Sequence, residues 1–189
     1  MQAESVNIQD KVDAQVLKSD ALNEGIGITG SYDVACIGAD GQVKWTDTIK
    51  NLVVTAGRND LLDKYFAGSA YTAAWYMGLV DNTSFSAYAA GDTLASHAGW
   101  LEFLDYTGSN RTTVSWSAAS AGSKATTTTS FNINASGTVL GALMCTTQAK
   151  GTASNGGAGI LYSAGSFSGG SRAVVSGDTL NVSYTAATS

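Results

Sequence analysis

At 189 residues the chain has room for one full domain with an extension, or for two small domains. Only 13% of the residues are charged, about half of the usual ~25%, and the net charge is −5 with no cluster of Lys and Arg. That balance speaks against nucleic acid as a partner. No run of 18 apolar residues occurs, so no membrane-spanning segment is expected. The opening MQAESVNIQDK lacks the basic and apolar regions of a secretory signal, so cytosolic synthesis is expected.

Residues 1–28 read as a separate arm. Ile8, Val12 and Val16 recur at every fourth position, and Leu17 and Leu22 extend the apolar set. The spacing suits a short amphipathic helix or a segment that orders on meeting a partner. These five residues are the candidate partner contacts. From Ile28 the pattern turns to β. Tyr32, Val34 and Cys36 alternate with Asp33, Ala35 and Ile37, GADGQ (38–42) supplies an Asp-Gly hairpin turn, and residues 43–49 form the return strand. One short helix follows at about 56–67, with Thr55 as its cap, Leu61, Leu62, Tyr65 and Phe66 as its apolar face, and Gly68 as its stop.

AWYMGLVDN (74–82) carries a continuous apolar run of strand length, interrupted only by Gly78. Such a run predicts a strand covered on both faces. Further strands are expected over 114–117, 126–133, 139–146, 159–162 and 180–185, separated by the turn signals NASG, KGTASNGGAG, SFSGGS and VSGD. The phrase AAGDTLAS (89–96) is echoed by VSGDTLNV (175–182), and nothing else aligns around the two copies. They read as one turn solution used twice, with Gly-Asp turning and Leu re-entering the core. The expected fold is therefore mainly β: a β-sandwich or jelly-roll-like body over 29–189, one helix, and the N-terminal arm.

Residue types that carry chemistry are scarce. His97 is the only histidine, no G-x-S-x-G occurs, and a zinc site lacks ligands because Cys36 and Cys145 lie 109 positions apart in apolar contexts. The two cysteines read as buried free thiols. Glu102 and Asp105 sit close together among aromatics, as a glycosidase pair would, but the same alternation fits an edge strand. Asp81, Asn82 and Asp92 lack the spacing of a calcium loop, and SNGGAG lacks the lysine of a phosphate loop. No enzymatic activity, cofactor or metal is expected.

The charges are unevenly spread. Residues 1–65 hold ten acids and six bases, whereas residues 66–189 hold five acids and four bases. A surface so poor in ions suits contact with neighbouring protein, or a rigid hydroxyl-rich exterior that needs few charges. The phrases NLVVTAGRNDLLDKYFAGSA, AWYMGLVDN and AAGDTLASHAGWLEF, followed by FNINASGTVLGALMCTT, GILYSAG and VVSGDTLNV, resemble a family of small structural proteins of tailed bacteriophages. The resemblance spans roughly residues 50–185 and implies a virion component made in the host bacterial cytoplasm. Its most direct implication is a head decoration (cement) protein contacting the major capsid protein or other virion proteins, as a trimer or dimer. Two alternatives stay open: a tail or neck adaptor, and a receptor- or glycan-binding fibre module. The last would expose Trp100, Tyr106 and Trp116 as its aromatic contacts.

Overall fold

The computed structural model describes residues 27–68, 70, 74–151 and 159–188. The arm residues Ile8, Val12, Val16, Leu17 and Leu22 lie outside them. Among the described residues, two antiparallel sheets pack face to face as a β-sandwich, with one helix.

The first sheet is built on the pairing of β1 (Ile28–Ile37) with β12 (Thr179–Thr188), which holds register over ten residues from Ile28↔Thr188 to Ile37↔Thr179. On the other side of β1 lies β2 (Val43–Lys50). Along the far side of β12 run β7 (Ser123–Ala125) and β8 (Thr129–Asn132). The alternation read from the sequence is the one observed: Tyr32, Val34 and Cys36 are buried and face the other sheet. The GADGQ turn closes on Gly38 and Gln42, with Gly41 at φ 78° and Asp40 accepting from the Gln42 N–H.

The second sheet has the order β3 (Leu52–Val53), β10 (Leu161–Ser166), β9 (Gly137–Cys145), β4 (Trp75–Asp81). Beyond β4 lie β5 (Leu101–Phe103) and β6 (Thr112–Val114), each pairing with a different half of it. β11 (Arg172–Val174) continues the edge of β9 past β10. The apolar run of β4 is indeed covered twice. Met77 and Leu79 face the space between the sheets, with Phe103, Val139 and Met144. Val80 faces a second core outside the sheet, formed by Trp100, Leu94, Leu140, Leu143, Cys145 and Leu161.

That outer core is covered by α1 (Thr55–Phe66) and by the segment leading to β5. The helix departs from expectation in two ways. Thr55 does not cap it: Val54 stands at the cap position with no side-chain bond, and the Thr55 N–H donates instead to Ala90 O at 2.8 Å. The apolar face points outward: Leu62, Tyr65 and Phe66 are 43%, 80% and 69% exposed, while Gly57 and Asp60 are buried. The cause is close packing on β10, because a Cβ on Gly57 would lie 2.5 Å from Tyr162 O. Gly68, at φ 66°, ends the helix as expected.

The repeated phrase does fold the same way twice. Ala89 N–H donates to an Asp92 carboxylate oxygen at 2.9 Å, and the Asp92 N–H donates back to Ala89 O at 3.0 Å. Val175 and Asp178 make the same two bonds, both at 3.0 Å. Asp carries the turn, and Leu94 and Leu180 both enter the core at 1% exposure or less.

Candidate functional site

Each group with chemical potential is tied into the body. His97 is 2% exposed and stacks on Trp100 at 3.9 Å between ring centroids. Its Nδ1 lies 3.0 Å from Trp100 O, and since a carbonyl only accepts, Nδ1 carries the proton. Cys36 and Cys145 are both buried free thiols. Burial pushes the Cys36 thiol up to about 11, helped by the Asp178 carboxylate. Among the described residues no three His, Cys, Asp or Glu side chains gather where a metal could sit.

Glu102 does not pair with Asp105. It forms a bidentate ion pair with Arg111, Nε to Oε1 and Nη2 to Oε2, both at 2.9 Å, with each side chain 1% exposed. Gly151 N–H donates to Glu102 Oε2 at 3.0 Å, and Arg111 Nη1 donates to Thr147 O at 2.8 Å. Burial pushes the Glu102 carboxyl up, opposed by the hydrogen bonds and charge of Arg111. This pair also explains Gly78. Glu102 belongs to β5, Arg111 immediately precedes β6, and both strands flank β4 on one side. A Cβ on Gly78 would lie 2.7 Å from Glu102 Oε1 and 3.4 Å from Arg111 Cδ. The glycine leaves the room in which the pair crosses the strand.

Trp100 and Tyr106 are both 1% exposed, which corrects the expectation that they are surface contacts. Trp100 is held in the outer core by its indole N–H donating to Asp92 at 2.9 Å and by His97. Tyr106 packs edge-to-face on Phe131 in the main core, with the Lys150 ammonium 3.9 Å above its ring. Trp116 is half-buried between Trp75 and Tyr184. A further cleft of about 590 Å³ opens beside the first sheet, lined mostly by polar residues including Asp33, Thr48 and Asn181; none of its lining residues is aromatic.

Asp47 in β2 links the two sheets at the border of that cleft. It accepts from Arg172 of β11 at 2.7 Å and 3.1 Å, from Ser168 Oγ at 2.7 Å and from the Thr48 N–H at 2.8 Å. Partial desolvation pushes its carboxyl up, but these bonds outweigh it and hold it at about 2. Eight of the nine charged side chains after residue 65 are engaged in this manner, in hydrogen bonds or ion pairs within the body: Asp81, Asp92, Glu102, Arg111, Lys124, Lys150, Arg172 and Asp178. The solvent-facing ionic character of this half is therefore even lower than its composition indicates.

The remaining feature is the outward stripe on α1. Leu62 and Phe66 are one turn apart, Tyr65 lies beside them, and Tyr65 meets Phe66 edge-to-face at 4.9 Å. The chain matches no protein-family model and is similar to no curated protein at the level of sequence. Of the three sequence-predicted aromatic contacts, only Trp116 is partly accessible. The stripe was missed because helical periodicity marks an apolar face without saying which way it points. The signal for its direction was Gly57 and Asp60 on the opposite side, a pair suited to close packing and capable of no large apolar contact.

Proposed function

We propose that this protein is a structural component of a tailed-phage virion, decorating and stabilising the head through contacts with the major capsid protein. The observation that carries the reading is the apolar stripe Leu62, Tyr65 and Phe66, exposed on a body whose charges are mostly committed internally. An interface core is depleted in ions because each unpaired buried charge costs several kcal/mol. Burying the exposed parts of Tyr65 and Phe66, about 250 Å² together, stabilises a contact by about 6 kcal/mol at ~25 cal/mol/Å². Association itself costs at least about 4 kcal/mol, so one stripe binds weakly. Weak contacts repeated around a symmetric shell act together, and self-association as a trimer or dimer multiplies them again. The N-terminal arm is the second contact in this reading. A neck or tail adaptor would use the same surfaces. Of the three aromatics on which the glycan-binding alternative rests, Trp100 and Tyr106 are buried and Trp116 is partly accessible.

The test is occupancy on purified particles. Phe66→Asp in the full chain should lower occupancy at least tenfold while leaving the melting temperature within about 2 °C, since the side chain is 69% exposed. Unchanged occupancy would remove the stripe from the interface. Imaging of the assembled virion then separates head from neck or tail.

A further inference from the structure

At the end of the sandwich where β1 begins and β12 finishes, the two sheets leave an apolar mouth. We propose that this mouth is the seat of the chain's own N-terminal segment, with Val12, Val16, Leu17 and Leu22 supplying the side chains that fill it.

The mouth is a groove of about 190 Å³ lined by Leu61, Trp75, Trp116, Lys124, Tyr162 and Ala186. These residues come from the helix and from both sheets. Trp75, Trp116 and Ala186 pack on the main core yet are only half-buried, so among the described residues the core runs to the surface here without a cover. The rings stand edge-to-face, Trp75 on Trp116 at 6.3 Å and Trp75 on Tyr162 at 5.5 Å, which holds the walls rigid. The indole N–H of Trp116 is buried and has no acceptor among the described residues. Beside it, Lys124 lies 5.9 Å from the Trp116 ring centroid.

The identity of the occupant follows from where the chain enters. Gly30 pairs with the groove-lining Ala186, and Ile28 pairs with Thr188 and packs on the same core. The first 26 residues are therefore tethered at the lip of the mouth. Six residues separate Leu22 from Ile28, a reach of at most about 20 Å, and Val16 can reach about 40 Å. So short a tether gives an effective concentration in the millimolar range, which a second copy at micromolar concentration cannot match. The chemistry is complementary as well. Residues 1–26 carry an apolar set in a frame of five acids and two bases, and Lys124 lines the mouth. A capsid partner that takes the same apolar stripe must compete with the mouth for it.

The proposal is tested on the isolated full chain, independently of any virion. p-Benzoylphenylalanine is placed at Val16 and photolysed at micromolar protein. Cross-links in the monomer-sized product to peptides containing Leu61, Trp75 or Trp116 are expected. Cross-links to those peptides only in a dimer-sized product would overturn it in favour of exchange between copies, and no cross-link to them would overturn it outright. As a second measurement, V12D with V16D in the full chain leaves the body's own residues untouched. Amide exchange at Trp75, Trp116 and Ala186 should quicken at least fivefold; unchanged exchange rejects the seat.

Discussion

Removing one partner of the buried pair Glu102–Arg111 should cost the fold about 3–5 kcal/mol, whereas replacing both should cost little. The structure gives the reason for the asymmetry. Both side chains are 1% exposed, and the carboxylate accepts from Arg111 Nε, Arg111 Nη2 and the Gly151 N–H. With Glu102→Leu the guanidinium loses the full negative charge beside it and keeps neutral partners, Thr147 O and the Cys145 sulfur, among the described residues. Relaxation is restricted, because the pair fills the space opposite Gly78. A loss of this size is a large share of the ~5–15 kcal/mol that holds a typical domain. The assay is a double-mutant cycle by urea denaturation, with Glu102→Leu, Arg111→Leu and both together. The double variant is expected within about 1 kcal/mol of the parent, since apolar isosteres of buried pairs are often neutral. The reasoning is refuted if each single variant costs under about 1 kcal/mol and the two effects simply add. The same argument means that an activity lost in Glu102→Gln reports on folding before it reports on chemistry.

Three further outcomes follow from the same geometry. Asp47 titrates at about 2 when folded, below its ordinary 3.8, so its stabilisation is present above the unfolded value and is lost as pH falls through about 2. The full shift corresponds to about 2.4 kcal/mol, reduced to about 1–2 kcal/mol because Arg172 is partly exposed to solvent. Urea denaturation of parent and Asp47→Asn should therefore differ by that amount at pH 7 and converge near pH 2; a gap that persists unchanged in acid counts against it. Ala121 sits at φ 49° beside Gly122 at φ 73° in a two-residue hairpin turn closed by Ser120 and Ser123. Ala121→Asn should raise stability by about 0.5–1 kcal/mol, a melting shift of about 2–4 °C, because Asn tolerates that backbone and Ala does not. Trp100→Ala should cost about 3–5 kcal/mol by calorimetry, with the Asp92 carboxylate losing its indole donor; a small loss would mean the outer core can collapse into the gap.

The sheets were legible because their chemistry is local. Alternation in β1, the Asp-Gly turn after it and the continuous run in β4 each specify their own environment, and each was found there. The GDTL turns were legible for the same reason: in both copies the Asp side chain accepts a backbone N–H, and in the first the Thr93 hydroxyl also accepts from the Ser96 N–H. What failed depended on partners far apart in sequence. Trp100 and Tyr106 look like exposed aromatics among acids, but Trp100 closes an outer core built with Leu143 and Leu161, and Tyr106 meets Phe131. Glu102 looked paired with Asp105 by proximity, whereas its partner Arg111 arrives just ahead of β6, which pairs with the other half of β4 on the same side. The clue in the sequence was Gly78: a glycine inside a continuous apolar strand signals a close approach by something else. Strands β5 and β11, three residues each, are too short to carry a pattern.

The direction of α1 bears most on function. A helix covering a sheet ordinarily turns its large apolar residues inward, because that burial supplies most of its stability. Here Gly57 allows the backbone of β10 to come close, and Asp60 sits inside with Lys64 as its partner. The contact is made by backbone proximity at Gly57 and by Ala56 against the outer core, so Leu62, Tyr65 and Phe66 are not needed for it. A sequence under selection for folding and solubility alone has no reason to keep two aromatics and a leucine on the solvent side, where an exposed apolar patch promotes association. Polar residues at 62, 65 and 66 would leave the Gly57 packing intact. The stripe is thus free to serve the proposed interface, and its outward direction is set by Gly57, one residue without a side chain.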